Sequence, residues 1–209
     1  MTIVLDKVTP RGLIIGLAGR IASGKTIAAT YIEAKYDAHH IRLYEILRHI
    51  AQMAEIEPTK KNLLSIAETE MKVHGRSYLS KLTCSRLSEE ILNLKQKIIV
   101  VEGIENIDDV YQFTEFADVH PYYFMLMYID APIRDRFIWH NQRCVSMGLN
   151  EVNEIDFRRF DKLRYAECGE SVYLTSMTEV ENSRKISIPE FYNRIDDQLF
   201  TYTAQHRPA

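Results

Sequence analysis

The apolar positions of this chain fall into two alternating rhythms. Residues 13–18, LIIGLA, are an unbroken apolar run that meets a glycine loop, which predicts a buried parallel strand. KTIAATYIEAK, 25–35, returns to helical spacing, with a narrow apolar side of Ala28, Ala29 and Ile32. AHHIRL, 38–43, predicts a short second strand. YEILRHIAQMAE, 44–55, predicts a helix through Ile46, Leu47, Ile50 and Met53 that Pro58 stops. A further helix runs to Gly75, and 77–95 is amphipathic through Leu79, Leu82, Leu87, Ile91 and Leu94. KIIVVEG, 97–103, reads as the central strand, ending in an acid and a glycine. A short helix over IDDVYQFTEF follows, then a buried strand over 122–132 stopped by Pro132, then a helix over IRDRFIWHNQRC. Residues 146–170 are polar and arginine-rich with weak periodicity. MTEVEN, 177–182, predicts a last strand. SIPEFYNRIDDQL, 187–199, predicts a terminal helix, with Ser187 and Glu190 as a capping box and Pro189 in the first turn.

Strand and helix alternate throughout, so the expected fold is α/β: a parallel sheet with helices on both faces and right-handed crossovers. Ligands then bind beyond the carboxyl ends of the strands, at loops 19–25, 43–48, 102–106 and 131–136. The length, 209 residues, suits a single domain over 1–209.

Composition adds mainly exclusions. Apolar residues are 46% and charged residues 26%, which is ordinary globular usage and argues against disorder. The net charge of −3 implies no broad basic face, so no stable nucleic-acid partner is expected. No stretch approaches the ~20 apolar residues of a membrane span. MTIVLDKVTPRG is broken early by Asp6 and Lys7 and does not read as a signal peptide. Cys84, Cys144 and Cys168 form no CxxC pair and read as reduced thiols, buried or bystanders, in a cytoplasmic protein. His39, His40 and His49 read as strand-end or surface histidines, and Tyr122, Tyr123 and Tyr128 as core.

The chemistry concentrates in Gly19-Arg20-Ile21-Ala22-Ser23-Gly24-Lys25-Thr26, a match to GxxxxGK[ST]. A chain of this length meets that pattern by chance roughly once in a hundred times. Here it also follows a strand and opens a helix, the context the motif requires. Its glycines let backbone N–H groups wrap a phosphate, and the helix adds its positive end. Lys25 reaches the β- and γ-phosphates of ATP, and the Thr26 hydroxyl binds Mg²⁺. Glu102, at a strand end facing the loop, supports Mg²⁺ through water or orients the acceptor. Glu45 receives or orients the acceptor's proton, and Arg48 grips an acceptor phosphate. Arg136 and Arg143, seven apart on one helix face, neutralise the transferred phosphoryl. Arg158, Arg159 and Arg164 belong to a mobile segment that closes over ATP and excludes water.

With EILR, VVEGIEN and YIDAPIRDRFIWHNQR, the phosphate loop makes the chain resemble the nucleoside monophosphate kinase-like group of P-loop phosphotransferases. Within that group it is most similar to the dephospho-CoA kinases and the small archaeal and phage nucleotide kinases. The resemblance runs from about Leu13 to Leu199. It implies a three-layer α/β/α fold with a five-stranded parallel sheet in order 2-3-1-4-5. It also implies ATP-Mg²⁺ as donor, an acceptor pocket around 40–90 that includes Arg76, and a small helical lid near 144–166. The expected acceptor is a small nucleotide or nucleotide-like molecule, and the expected state a monomer or homodimer. The chain departs from the family where an acceptor-binding arginine gives way to Glu105 or Asn106, where Trp139 replaces an arginine, and where Glu102 stands for a common Asp. Trp139 either packs, the preferred reading, or stacks on a base. Two alternatives accompany the main expectation: a kinase for a modified, phage-type nucleotide, and an NTP-binding regulatory module without kinase activity.

Overall fold

The computed structural model describes residues 12–90, 94–120 and 122–205, without the side chains of Lys60, Glu167 and Cys168. The expectations for the N-terminal segment, for Ile91 and for the Cys168 thiol lie outside what is described.

Five strands form one parallel sheet in the order β2-β3-β1-β4-β5. They are β1 (Gly12–Ala18), β2 (His39–Arg42), β3 (Ile98–Glu102), β4 (Tyr122–Asp130) and β5 (Thr178–Glu181). The helices are α1 (Lys25–Tyr36), α2 (Leu43–Met53), α3 (Lys60–His74), α4 (Tyr78–Glu90), α5 (Ile107–Val119), α6 (Ile133–Ser146), α7 (Glu154–Arg164), α8 (Glu170–Thr175) and α9 (Ile188–Gln205). One π-helical turn, Tyr165–Gly169, joins α7 to α8.

Alternation within the strands builds two cores. Leu13, Ile15 and Leu17 pack with α1 and α9 through Ala28, Ile32, Phe191 and Ile195. Ile14 and Ala18 pack with α2, α4 and α5 through Leu43, Leu47, Leu87, Val110 and Phe113. Each such aliphatic side chain contributes roughly 1.5–3 kcal/mol by its burial. Gly16 belongs to the second face, where a Cβ would collide with Ile104 and Phe124. Its missing side chain lets the loop after β3 lie close against β1.

The strand registers align the carboxyl ends. Leu17 stands beside Glu102, Ala18 beside Tyr128, Arg42 beside Glu102 and Asp130 beside Glu181. The sheet order reverses at β1, so the loop after β1 opens at the switch point, where open α/β sheets bind ligands.

Several boundaries differ from the sequence reading, among them the terminal helix, which runs on to Gln205. β4 ends at Asp130, because Ala131 and Pro132 already turn into α6. The helix expected from 44 begins at Leu43. The segment 146–170, whose periodicity is weak, folds mostly as α7 and the π-helical turn. Ser187 accepts from the Glu190 N–H at 3.2 Å at the head of α9, as the capping pattern predicts.

Candidate active site

A cleft of about 1220 Å³ opens over the carboxyl ends of β1, β3 and β4. Every residue from Gly19 to Thr26 lines it. The α1 N-terminus has Gly24 as N-cap, at φ 107°, with no side chain capping it. Its first-turn N–H groups therefore stay open to an anion. A Cβ on Gly24 would stand 2.5 Å from Asn182 Nδ2.

Lys25 curls back over the loop. Its ammonium donates to the carbonyls of Gly19 at 2.7 Å and Arg20 at 2.9 Å. Burial of the ammonium lowers its pKa to about 8, against the opposing pull of Glu105 and Glu102. Ser23 Oγ is fully buried and, among the described residues, has no hydrogen-bond partner.

Glu102 is held on three sides. Thr26 Oγ1 donates to Glu102 Oε1. Arg42 Nε lies 3.5 Å and His40 Nε2 3.3 Å from Oε2, as ion-pair contacts without hydrogen-bond geometry. Burial alone would push the Glu102 pKa up; His40 and Thr26 outweigh it and hold the carboxyl below its usual range. The neighbouring Glu102 carboxylate, with Glu33 at 2.9 Å from Nδ1, raises the pKa of His40.

The opposite wall comes from α6, α7 and the π-helical turn. Asp161 is only 2% exposed and binds two arginines. Arg136 meets it with both terminal nitrogens, at 2.5 and 2.9 Å, and Arg20 adds a contact at 2.8 Å. Arg20 also lies 3.8 Å from the centroid of the Tyr165 ring. Arg136 Nη1 further donates to the carbonyl of Ile21 at 3.3 Å. At the cleft mouth Arg164 of α7 pairs with Glu105 of the loop after β3. On the far side of the phosphate loop, Asn182 Nδ2 donates to the Ser23 carbonyl at 2.9 Å.

The structure sorts the residues singled out by sequence. Glu102, Arg143 and Arg164 line the cleft with the phosphate loop. Among the described residues, the lining does not include Arg136, Glu45, Arg48, Arg76, Arg158 or Arg159. Arg136 is 1% exposed and engaged with Asp161, so it sits beneath the loop and not over a transferred group. Glu45 is exposed and pairs at 3.3 Å with Arg42, the arginine that also approaches Glu102. Arg48 is exposed beside the Tyr44 ring. Arg76 is exposed, and its carbonyl accepts from Asn106 at 3.5 Å. Arg158 pairs with Glu154 one helical turn away at 2.6 Å, and Arg159 is exposed. Trp139 lines the cleft half-buried, and Tyr128, 3% exposed, is both core and cleft wall.

Sequence reasoning passed over Asp161, Tyr165 and Asn182, and read His40 as a strand-end or surface histidine. Asn182 had a signal, because the carboxyl-end rule applies to β5 as it does to the other strands. Asp161 had only its place inside FRRFDKLR, where a charged run reads as a solvated face.

No family model matches the chain. A curated protein of Hyperthermus butylicus, described as a UPF0200 protein, is 26% identical over 125 residues, which take in 60% of this chain and 62% of that protein. The match thus spans less than two thirds of that relative's length. Shikimate kinase from Bacteroides thetaiotaomicron superposes with a TM-score of 0.55 at 14% identity, over 90% of this chain and 98% of the other. Shikimate kinase from Acinetobacter baumannii, in complex with shikimate, gives 0.55 at 10% identity over 93% and 95%. A gluconokinase from Sinorhizobium meliloti gives 0.52 at 11% identity over 95% and 99%. At these identities the likeness is one of fold: the chain has the three-layer P-loop kinase-like architecture with the sheet order 2-3-1-4-5.

Proposed function

We propose that the protein moves the γ-phosphoryl group of ATP to a small acceptor, a nucleotide or nucleotide-like molecule. The observation that carries this reading is the Lys25 ammonium folded onto the carbonyls of Gly19 and Arg20, at the head of a helix with no side-chain cap. Those weak neutral acceptors are what a polyphosphate would replace with charged oxygens. The buried, partnerless Ser23 Oγ fits the same occupant.

Each neighbouring group has a role in that reaction. The loop amides and Lys25 hold the β- and γ-phosphates. Thr26 Oγ1 would ligate Mg²⁺, with Glu102 behind it or holding it through water. The metal, when present, neutralises the β- and γ-oxygens. Asn182 and the loop to Ile188 border the phosphate loop and suit the nucleoside of the donor. The acceptor enters between Tyr44, Leu64, Ile104 and Trp139, with Arg143 and Arg164 above it. Its oxygen attacks the γ-phosphorus, the bond to the β-phosphate oxygen breaks, and the acceptor's proton leaves to a carboxylate or to water. Charge neutralisation supplies most of the rate, so Lys25, Arg143 and Arg164 matter more than any base.

A second reading is a nucleotide-binding module without transfer. It is favoured by Glu105, an acid on the acceptor side, together with the positions of Arg48 and Arg76 outside the cleft. One experiment separates the two. Pure protein is incubated with ATP-Mg²⁺ and, in turn, nucleoside monophosphates, deoxynucleoside monophosphates and dephospho-CoA, and ADP is measured. A kinase gives ADP formation that rises steeply with one acceptor; a binding module gives saturable ATP binding and no acceptor-dependent turnover.

A further inference from the structure

We propose that Asp161 is a positioning residue that shapes the phosphate loop through Arg136. The inference rests on the phosphate-loop reading above and goes beyond it, to what holds the loop in a binding shape before a ligand arrives.

A trans peptide is planar, so a carbonyl turned one way sends the next N–H the other way. The buried Arg136 guanidinium takes the Ile21 carbonyl at 3.3 Å, which turns the Ala22 N–H away from Arg136. Asn182 does the same two residues on: it takes the Ser23 carbonyl at 2.9 Å and turns the Gly24 N–H away from itself. Two alternate carbonyls are thus pegged by buried donors, and the two following amides are free to converge on an anion. The peg at Ile21 matters because Ala22 sits at φ 58°, a left-handed conformation that alanine disfavours.

Arg136 needs Asp161 to act as that peg. Its Nε is taken by the Ala131 carbonyl at 2.9 Å, and both terminal nitrogens meet Asp161. These bonds fix the plane of the guanidinium, and so the direction in which Nη1 reaches Ile21. Asp161 grips the loop a second time through the Arg20 side chain, which Tyr165 backs as a flat platform. A carboxylate in a phosphate cleft repels substrate when its charge is open. Here two guanidiniums outweigh it, and it acts through them.

The test uses Asp161→Asn and the double variant Arg136→Met/Asp161→Leu, with inorganic tripolyphosphate and ADP as probes in calorimetry. Backbone amide shifts of Ala22 and Gly24 are read in the ligand-free proteins. The double variant removes the fully buried pair together and leaves without its carboxylate only the part-exposed Arg20, so it decides the matter if Asp161→Asn does not fold. Both probes are expected to bind at least 10-fold more weakly in the variants, with the Ala22 amide displaced and the Gly24 amide, pegged by Asn182, in place. A folded double variant with wild-type affinity and an unmoved Ala22 amide overturns the inference, because Asp161 then only balances charge. A wild-type protein that ignores both probes sinks the kinase reading by itself, and the Ala22 shift still decides the role of Asp161.

Discussion

Thr26 and Glu102 meet across the first crossover: the first-turn hydroxyl of α1 donates to the carboxylate that ends β3. The β1–β3 register makes this contact, since Leu17 pairs with Glu102 just before the chain enters the phosphate loop. The pair joins the loop to the neighbouring strand, and in the proposed reading it is the hydroxyl and carboxylate that would hold a divalent ion. Glu102→Gln keeps the size and one acceptor but removes the charge. Turnover is expected to fall at least 100-fold, and the Mg²⁺ concentration for half-maximal rate to rise. Initial rates titrated with Mg²⁺ check this; an unchanged metal dependence contradicts the assignment.

Glu105 and Arg164 form the contact at the cleft mouth, both about half exposed. Exposed pairs of this kind contribute only about 0–1 kcal/mol, so Glu105→Ala should leave the melting temperature nearly unchanged. It should change the acceptor KM by 5-fold or more and ATP affinity by less, because in the proposed reading Glu105 borders the acceptor and reaches Lys25 only through its charge. Equal effects on ATP and acceptor would place Glu105 elsewhere in the reaction.

Asp109 supplies a pH signature remote from the phosphates. It anchors the loop after β3 by accepting from Ser80 Oγ, from the N–H groups of Glu105 and Asn106, and from Asn106 Nδ2. Burial raises its pKa to about 6, against the hydrogen bonds that oppose the shift. The folded state therefore binds more protons than the unfolded chain between pH 3.8 and about 6, and stability falls as pH rises through that window. Above it the cost is constant, on the order of 3 kcal/mol. Asp109→Asn removes this dependence. Its melting temperature relative to wild type should climb from pH 4 to 6 and then level, whereas parallel curves would show that Asp109 does not titrate there.

Gly24 tests the loop's backbone. Its φ of 107° disfavours any side chain, and an added Cβ would strike the Asn182 amide. Gly24→Ala should cost about 1–2 kcal/mol from the backbone alone, or roughly 2–4 °C of melting temperature per kcal/mol. Nucleotide affinity should drop at least 10-fold. Adding Asn182→Ala removes the collision but not the strain or the lost Ser23 peg, so affinity should stay low.

Much of this architecture is written in local patterns. β1, β3 and β4 are apolar on both faces because helices cover both, and such runs stand out. The phosphate loop is legible because its glycines and Lys25 act through backbone and local contacts. What fails to show is whatever depends on distance along an axis or across the fold. Arg136 and Arg143 share a helix face, as seven-residue spacing requires, yet lie about 10 Å apart along the axis. One therefore meets Asp161 beneath the loop while the other emerges in the cleft. α7 buries only Phe157 and Asp161, so it offers no apolar stripe to read. His40 looks like a strand-end histidine until β2 pairs with β3 and brings it to Glu102.

In the proposed reading the loop from Gly19 to Thr26 embraces the polyphosphate of a nucleotide, with Lys25 at its centre. Calorimetric titration of ATP-Mg²⁺ into the wild-type protein and into Lys25→Met tests it most directly. Saturable binding by the wild type, weakened at least 100-fold in the variant, is the predicted result. A wild type that takes up neither ATP nor GTP, or a variant that binds as well as the wild type, would contradict it.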